Sequence, residues 1–138
     1  MPSISPYIFF DGTCREAMTA YADILGAEIL AMIPYSEAPS TEGMPDVPPE
    51  HIMHAGIRFH DQLLMASDDM PGRNKVPAST YIMVSLPETE AARTAFDRLA
   101  EGGEVLVAFG PTFWTEGFGS LRDRWGQLWM VGSDTTGV

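Results

Sequence analysis

The sequence predicts an α+β fold built from two βαβββ modules. The run Leu63, Leu64, Met65, Ala66, Ser67, Asp68 returns as Leu128, Trp129, Met130, Val131, then Ser133 and Asp134. Each half also orders its apolar patterns alike: a short run, a helical stripe, then three more strand-length runs. The third observation is a hairpin closing the stretch Pro111 to Val131, which holds all three tryptophans, Trp114, Trp125 and Trp129. Its strands are Gly119–Arg122 and Gln127–Val131, and Asp123 and Gly126 sit at the first and last positions of a type I turn. A helix covers only one face of its sheet, so the two modules are expected to bring their other faces together around a shared pocket.

The elements follow in order. Ser5–Phe10 is an apolar run opened by Pro6, and its lack of alternation predicts a strand covered on both faces. Thr13 and Glu16 stand at capping-box spacing before Ala17, Met18, Tyr21, Ile24 and Leu25, with Gly26 as the stop, which predicts a helix. Glu28–Tyr35 reads as a strand. From Pro34 to Glu50 five prolines and four acidic residues leave no regular element, and a connection this long predicts a cover over the pocket or an interface segment. His51–Phe59 and Gln62–Asp68 are strands joined at His60 and Asp61. A two-residue turn there sets Arg58 opposite Leu63, Gly56 opposite Met65 and His54 opposite Ser67, all on one face.

Module one is thus 1–68. Asp69–Ser79, with Pro71, Gly72 and Pro77, reads as the linker, and module two is 80–138. The second module opens with a strand from Thr80 through Val84, ended by Pro87. Glu88 and Glu90 suit a helix N-terminus, Ala91, Ala95, Phe96 and Leu99 form its buried stripe, and Gly102 with Gly103 closes it. Glu104–Phe109 is the strand before the hairpin.

A chain of 138 residues suits one domain, which buries roughly 68% of its extended surface on folding. Nineteen acidic against eight basic residues give a formal charge of −11, which repels phosphate backbones and anionic membranes and argues against nucleic-acid partners. A lone cysteine, Cys14, excludes an internal disulfide and fits a reducing, cytoplasmic setting. No apolar run approaches the roughly 20 residues of a membrane span.

Several blocks in this order resemble the vicinal oxygen chelate superfamily of glyoxalase, bleomycin-resistance and extradiol dioxygenase folds, and within it the PhnB-like group. They are Ser5-Pro6-Tyr7-Ile8, Leu25-Gly26-Ala27-Glu28, His54-Ala55, Met65-Ala66-Ser67-Asp68, Thr112-Phe113-Trp114, Phe118-Gly119, and Trp125-Gly126 followed by Trp129-Met130. The resemblance implies paired βαβββ modules, a homodimer and a small-molecule pocket. It does not assign a reaction.

Metal-dependent members of that superfamily take one ligand from the first and one from the last strand of each module. Here those positions fall at Pro6, Met65, Thr80 and Met130, with Ser5 or Tyr7 and Tyr81 as the one-residue alternatives. None is a His or carboxylate, the donors that borderline and hard divalent ions need, so no metal and no other cofactor is expected. His51 and His54 fall on opposite faces of a strand and do not make a metal pair. His54 is the best catalytic candidate, because an imidazole facing a pocket can orient a ligand or move a proton near neutral pH. The alternative is an imidazole hydrogen-bonded to Ser67 or a backbone carbonyl.

The expected pocket is Tyr7, His54, Arg58, Met65, Ser67, Tyr81, Trp114 and Met130. Trp129 should turn away from it, and Cys14 reads as a packed small side chain. No glycine-rich loop joins a strand to a helix, so neither a dinucleotide fold nor a methyl-donor fold of that type is supported. The reading is a small-molecule-binding protein without a metal. Its alternatives are a divalent-metal lyase or isomerase of glyoxalase type and an antibiotic-sequestering protein.

Overall fold

A computed structural model describes residues 3–38, 47–69 and 80–133. The chain divides into two compact units, Met1–Lys75 and Val76–Val138. The first holds β1 (Tyr7–Phe10), α1 (Cys14–Leu25), β2 (Glu28–Pro34), a 3-10 turn (Tyr35–Glu37), β3 (Ile52–Phe59) and β4 (Gln62–Asp68). The second holds β5 (Tyr81–Leu86), α2 (Thr89–Ala100), β6 (Glu104–Gly110), β7 (Phe118–Arg122) and β8 (Leu128–Ser133). Their sheets are ordered β1-β4-β3-β2 and β5-β8-β7-β6, each with one parallel pair formed by its first and last strands. These are the two βαβββ modules the sequence predicts. Residues 39–46 of the proline-rich segment and 70–79 of the linker lie outside the described residues, and no helix among those described is long and apolar enough to cross a membrane.

In the first unit α1 buries Cys14, Ala17, Met18, Tyr21 and Ala22, an i, i+3, i+4, i+7, i+8 stripe. Gly26 takes the left-handed conformation, φ 69°, that ends the helix, and the Ala27 N–H donates back to the Ala22 carbonyl. The expected capping box does not form: Thr13 makes no side-chain cap bond. The Asp68 carboxylate replaces it, accepting from the Cys14 N–H at 2.9 Å and from the Ile52 N–H at 2.8 Å. A carboxylate beside the positive end of a helix is favoured electrostatically as well.

Helix-side positions of the sheet are buried, with Phe10, Ala55, Ile57 and Ala66 at 4% exposure or less, and the Phe10 ring lies 6.3 Å from Tyr21 of α1. The opposite face is different. Tyr7 and Phe9 are 40% and 50% exposed, which corrects the expectation that β1 is covered on both sides. An unbroken apolar run carries no alternation from which to tell a face that the unit's own helix covers from one that it leaves open.

In the second unit α2 buries Ala92, Ala95, Phe96 and Leu99. Ala91 is exposed, not part of the stripe, because the helix begins at Thr89 and the phase set by Ala95, Phe96 and Leu99 selects Ala92. Gly103 is fixed by close approach, since a Cβ there would collide with the Arg122 carbonyl oxygen and the Asp123 backbone. The hairpin turn is organised by Asp123, itself 2% exposed. One carboxylate oxygen accepts from the Trp125 and Gln127 N–H groups, each at 2.9 Å. The other accepts from Trp129 Nε1 at 2.9 Å, while the Gly126 N–H closes the turn on the Asp123 carbonyl. Trp129 is fully buried and serves packing, as its parity predicts.

Because Asp123→Ala leaves three donors without their acceptor, it should lower unfolding stability by about 3 kcal/mol or more. Asp123→Asn, which keeps one carbonyl oxygen, should lose less. Urea denaturation of both variants checks the order.

Candidate functional site

The open face of the first sheet gathers chemistry that its helix side lacks. Parallel pairing sets Tyr7 beside Met65 and Phe9 beside Ser67, and antiparallel pairing sets Gly56 beside Met65 and Arg58 beside Leu63, as the two-residue turn predicts. His60 completes that turn with φ 56°, the left-handed region that hairpin loops demand. On this face the Tyr7 hydroxyl and His54 Nδ1 are 3.1 Å apart, with ring centroids 5.8 Å apart and tilted by 32°. Neither of the bonds considered for His54, to Ser67 or to a backbone carbonyl, is the one it makes. Tyr7 also lies against Phe9, centroids 5.3 Å apart. Arg58 forms an ion pair with Glu28 of β2.

Tyr7, His54, Arg58 and Met65 therefore share one face, with Phe9, Leu63 and Glu28 added to those the sequence names. Ser67 belongs to it by parity but is buried, 4% exposed. Glu28 escapes sequence reading because the β2–β3 register shifts between Ile29 and Ala31.

In the second unit Tyr81 and Met83 are exposed on the face of β5 away from α2, and Met83 pairs with Met130 while Tyr81 pairs with Leu128. Met83, rather than Thr80 or Tyr81, thus stands beside Met130. Trp114 is 44% exposed and packs edge-on against Phe113 and Phe118, with centroids at 4.8 and 5.6 Å.

These donors do not fit a divalent ion. The first and last strands present a phenol at Tyr7 and thioethers at Met65, Met83 and Met130, where carboxylate or imidazole ligands are needed. Among the described residues no three His, Cys, Asp or Glu side chains converge. His51 packs instead near the β1–α1 turn, where a Cβ on Gly12 would come within 3.1 Å of its Nε2. An open groove of about 810 Å³ runs there along α1, lined by Arg15, Glu16, Asp23 and His51 among others. It contains neither Tyr7 nor His54, and its polar lining is largely the solvent face of α1; the paired phenol and imidazole on the open sheet face are the stronger chemical signal.

Cys14 is fully buried, and its thiol is pushed up to about 12, first by burial and then by the neighbouring Asp68 carboxylate, with Arg15 opposing. Burial raises Tyr35 too, as do Asp68 and Asp69, and its hydroxyl donates to the Asp68 carbonyl at 3.2 Å. A nucleophilic role for Cys14 is excluded near neutral pH, because the thiolate is the reactive form. Unfolding returns the thiol to its ordinary 9.0, so the unfolded chain releases this proton first. The associated stability is intact below pH 9.0 and is lost as pH rises toward about 12. Cys14 should resist Ellman's reagent at pH 8 until the protein unfolds, and Cys14→Ala should flatten the alkaline fall in denaturation midpoint.

Comparison with known proteins agrees with this architecture. A curated relative, protein YjdN of Escherichia coli, is 34% identical over 136 residues, covering 93% of this chain and 92% of its own. The crystal structure of PA1353 from Pseudomonas aeruginosa superposes with a TM-score of 0.89 at 36% identity, covering 97% of this chain and 98% of that one. The PhnB protein from Bacillus cereus superposes with a TM-score of 0.81 at 23% identity, over 96% and 100% of the two chains. The fold is shared more widely with glyoxalase, bleomycin-resistance and dioxygenase proteins. With residues 2–132 matched by the family model described as 3-demethylubiquinone-9 3-methyltransferase, this chain belongs to that PhnB-like family of the glyoxalase fold.

Proposed function

We propose that the chain binds a small organic molecule on the open face of its first sheet, without a divalent metal, as a cytoplasmic homodimer. The observation that carries this reading is the Tyr7–His54 hydrogen bond standing among exposed Phe9, Leu63 and Tyr7 on a face turned away from α1. Apolar surface with a few convergent polar atoms is the composition of ligand sites. Methyl transfer, the reaction in the family's description, needs a methyl donor. Neither strand-to-helix connection is glycine-rich, and Asp68 already occupies the first backbone donor of α1.

The dimer rests on a different feature. Val105, Leu106 and Val107 of β6, an edge strand, are 49%, 39% and 51% exposed, and Phe113 beyond it is almost fully exposed. Exposed apolar edges are covered in stable proteins.

A thermal-shift screen of aromatic and carbonyl compounds should yield ligands that raise the melting temperature. His54→Ala should weaken those ligands while leaving the unliganded melting temperature nearly unchanged, because His54 is only part-buried. Metal titration with zinc, nickel and manganese should produce no comparable shift; a stoichiometric metal lost in His54→Ala would favour the glyoxalase-type lyase or isomerase instead. Sedimentation at micromolar concentration should show a dimer, and Val107→Glu should shift it toward monomer.

A further inference from the structure

We infer that His54 is a hydrogen-bond donor, through Nε2, to a neutral carbonyl oxygen on a flat apolar ligand, and that Tyr7 is the positioning residue that fixes the required tautomer. This rests on the ligand-binding reading of the open face. Between the Tyr7 hydroxyl and His54 Nδ1, 3.1 Å apart, only one hydrogen can lie. A phenol O–H is a far stronger acid than a neutral imidazole N–H, and its ring-conjugated oxygen is a weak acceptor. The hydroxyl therefore donates and Nδ1 accepts. A neutral imidazole carries one hydrogen, and the bond made at one nitrogen places it on the other. Nε2 becomes the donor, and among the described residues it meets no acceptor.

The ligand's character follows from what surrounds this donor. Tyr7, Phe9 and Leu63 are 40%, 50% and 37% exposed, and Met65 stands beside Tyr7, a surface of rings, thioether and aliphatic carbon. Such a surface suits a planar apolar body. Its described cation, Arg58, is already neutralised by Glu28. With a formal charge of −11 on the chain as well, a carboxylate or phosphate gains nothing there, whereas an uncharged carbonyl needs only the Nε2 donor.

The test uses the intact protein at pH 8, labelled with ¹⁵N in histidine and ¹³C in phenylalanine and methionine. Long-range nitrogen–proton correlation should show His54 with Nδ1 bare and Nε2 protonated, and Tyr7→Phe should shift it toward a mixture of tautomers. Three matched probes then read the site: 2-acetylnaphthalene, 2-ethylnaphthalene and 2-naphthoate. The ketone should bind about fivefold more tightly than the hydrocarbon, the size of one net hydrogen bond, and the anion no more tightly than the hydrocarbon. His54→Ala should erase the ketone's advantage. An Nδ1-protonated His54, a tautomer unmoved by Tyr7→Phe, or a ketone preference that survives His54→Ala overturns the inference. If all three probes perturb Phe9 and Met65 resonances equally, the binding face stands and the inference fails. If none does, both fail.

Discussion

A single buried carboxylate sets the geometry of the first module. Asp68 ends β4 on the helix side of the sheet, 1% exposed, and divides its oxygens between the first N–H of α1 and the first N–H of β3. Three elements distant in sequence are thereby tied at one point. The anchor on Ile52 lies two residues before His54, so the start of β3 cannot slide without breaking a charge-assisted bond. A one-residue slip in that strand would move every side chain to the other face. Asp68 thus holds His54 on the open face without touching it. The same carboxylate takes the place that a bound anion would occupy at the helix start and suppresses ionisation of Cys14.

The second module solves its own anchoring problem differently. Asp123 sits in the β7–β8 turn and binds two backbone donors and the Trp129 indole, so its carboxylate organises a hairpin where Asp68 organises a helix start. At the end of β8, Ser133 and Thr115 form a small hydroxyl network, 3.0 Å apart, with the Ser133 N–H donating to Gly117. Repetition of the backbone therefore did not require repetition of the polar anchors. Each unit holds one well-satisfied buried acid, with two donors at Asp68 and three at Asp123, because a carboxylate so bonded fixes a turn or a junction more stringently than apolar packing does.

Much of the fold was legible in the sequence because it depends on local chemistry. Gly26 predicts its left-handed cap, and His60 with Asp61 predicts a turn whose register is the one found. Asp123 and Gly126 likewise predict the closing turn. What escaped depends on partners far along the chain. Thr13 and Glu16 have the spacing of a capping box, but Asp68, 54 residues from Cys14, takes the donor. The exposed side of β1 is invisible in a run such as Tyr7–Phe10, where every residue is apolar. His54 was legible as a face-sharing residue, but its bond to Tyr7 was not. That bond arises from the parallel β1–β4 pairing together with the antiparallel β3–β4 pairing, and each register has to be known to within one residue.

The two open faces, built on the same pattern, carry different chemistry. On the first sheet the aligned strands bring a phenol, an imidazole and an ion pair among apolar neighbours. On the second, the corresponding strands bring Met83 beside Met130 and Ser120 beside Met130, with Trp114 and Phe118 near the strand end. Thioethers and rings adapt to shape and contribute contact area without directional bonds. Among the described residues the phenol–imidazole pair therefore stands on the first module, while the second offers thioethers and rings. A duplicated module can retain its fold through such divergence because the helix-side residues, Ala55, Ile57 and Ala66 in one unit and Leu121, Trp129 and Val131 in the other, remain buried and apolar. The open-face positions pack against no helix of their own unit, so changing them costs little in stability.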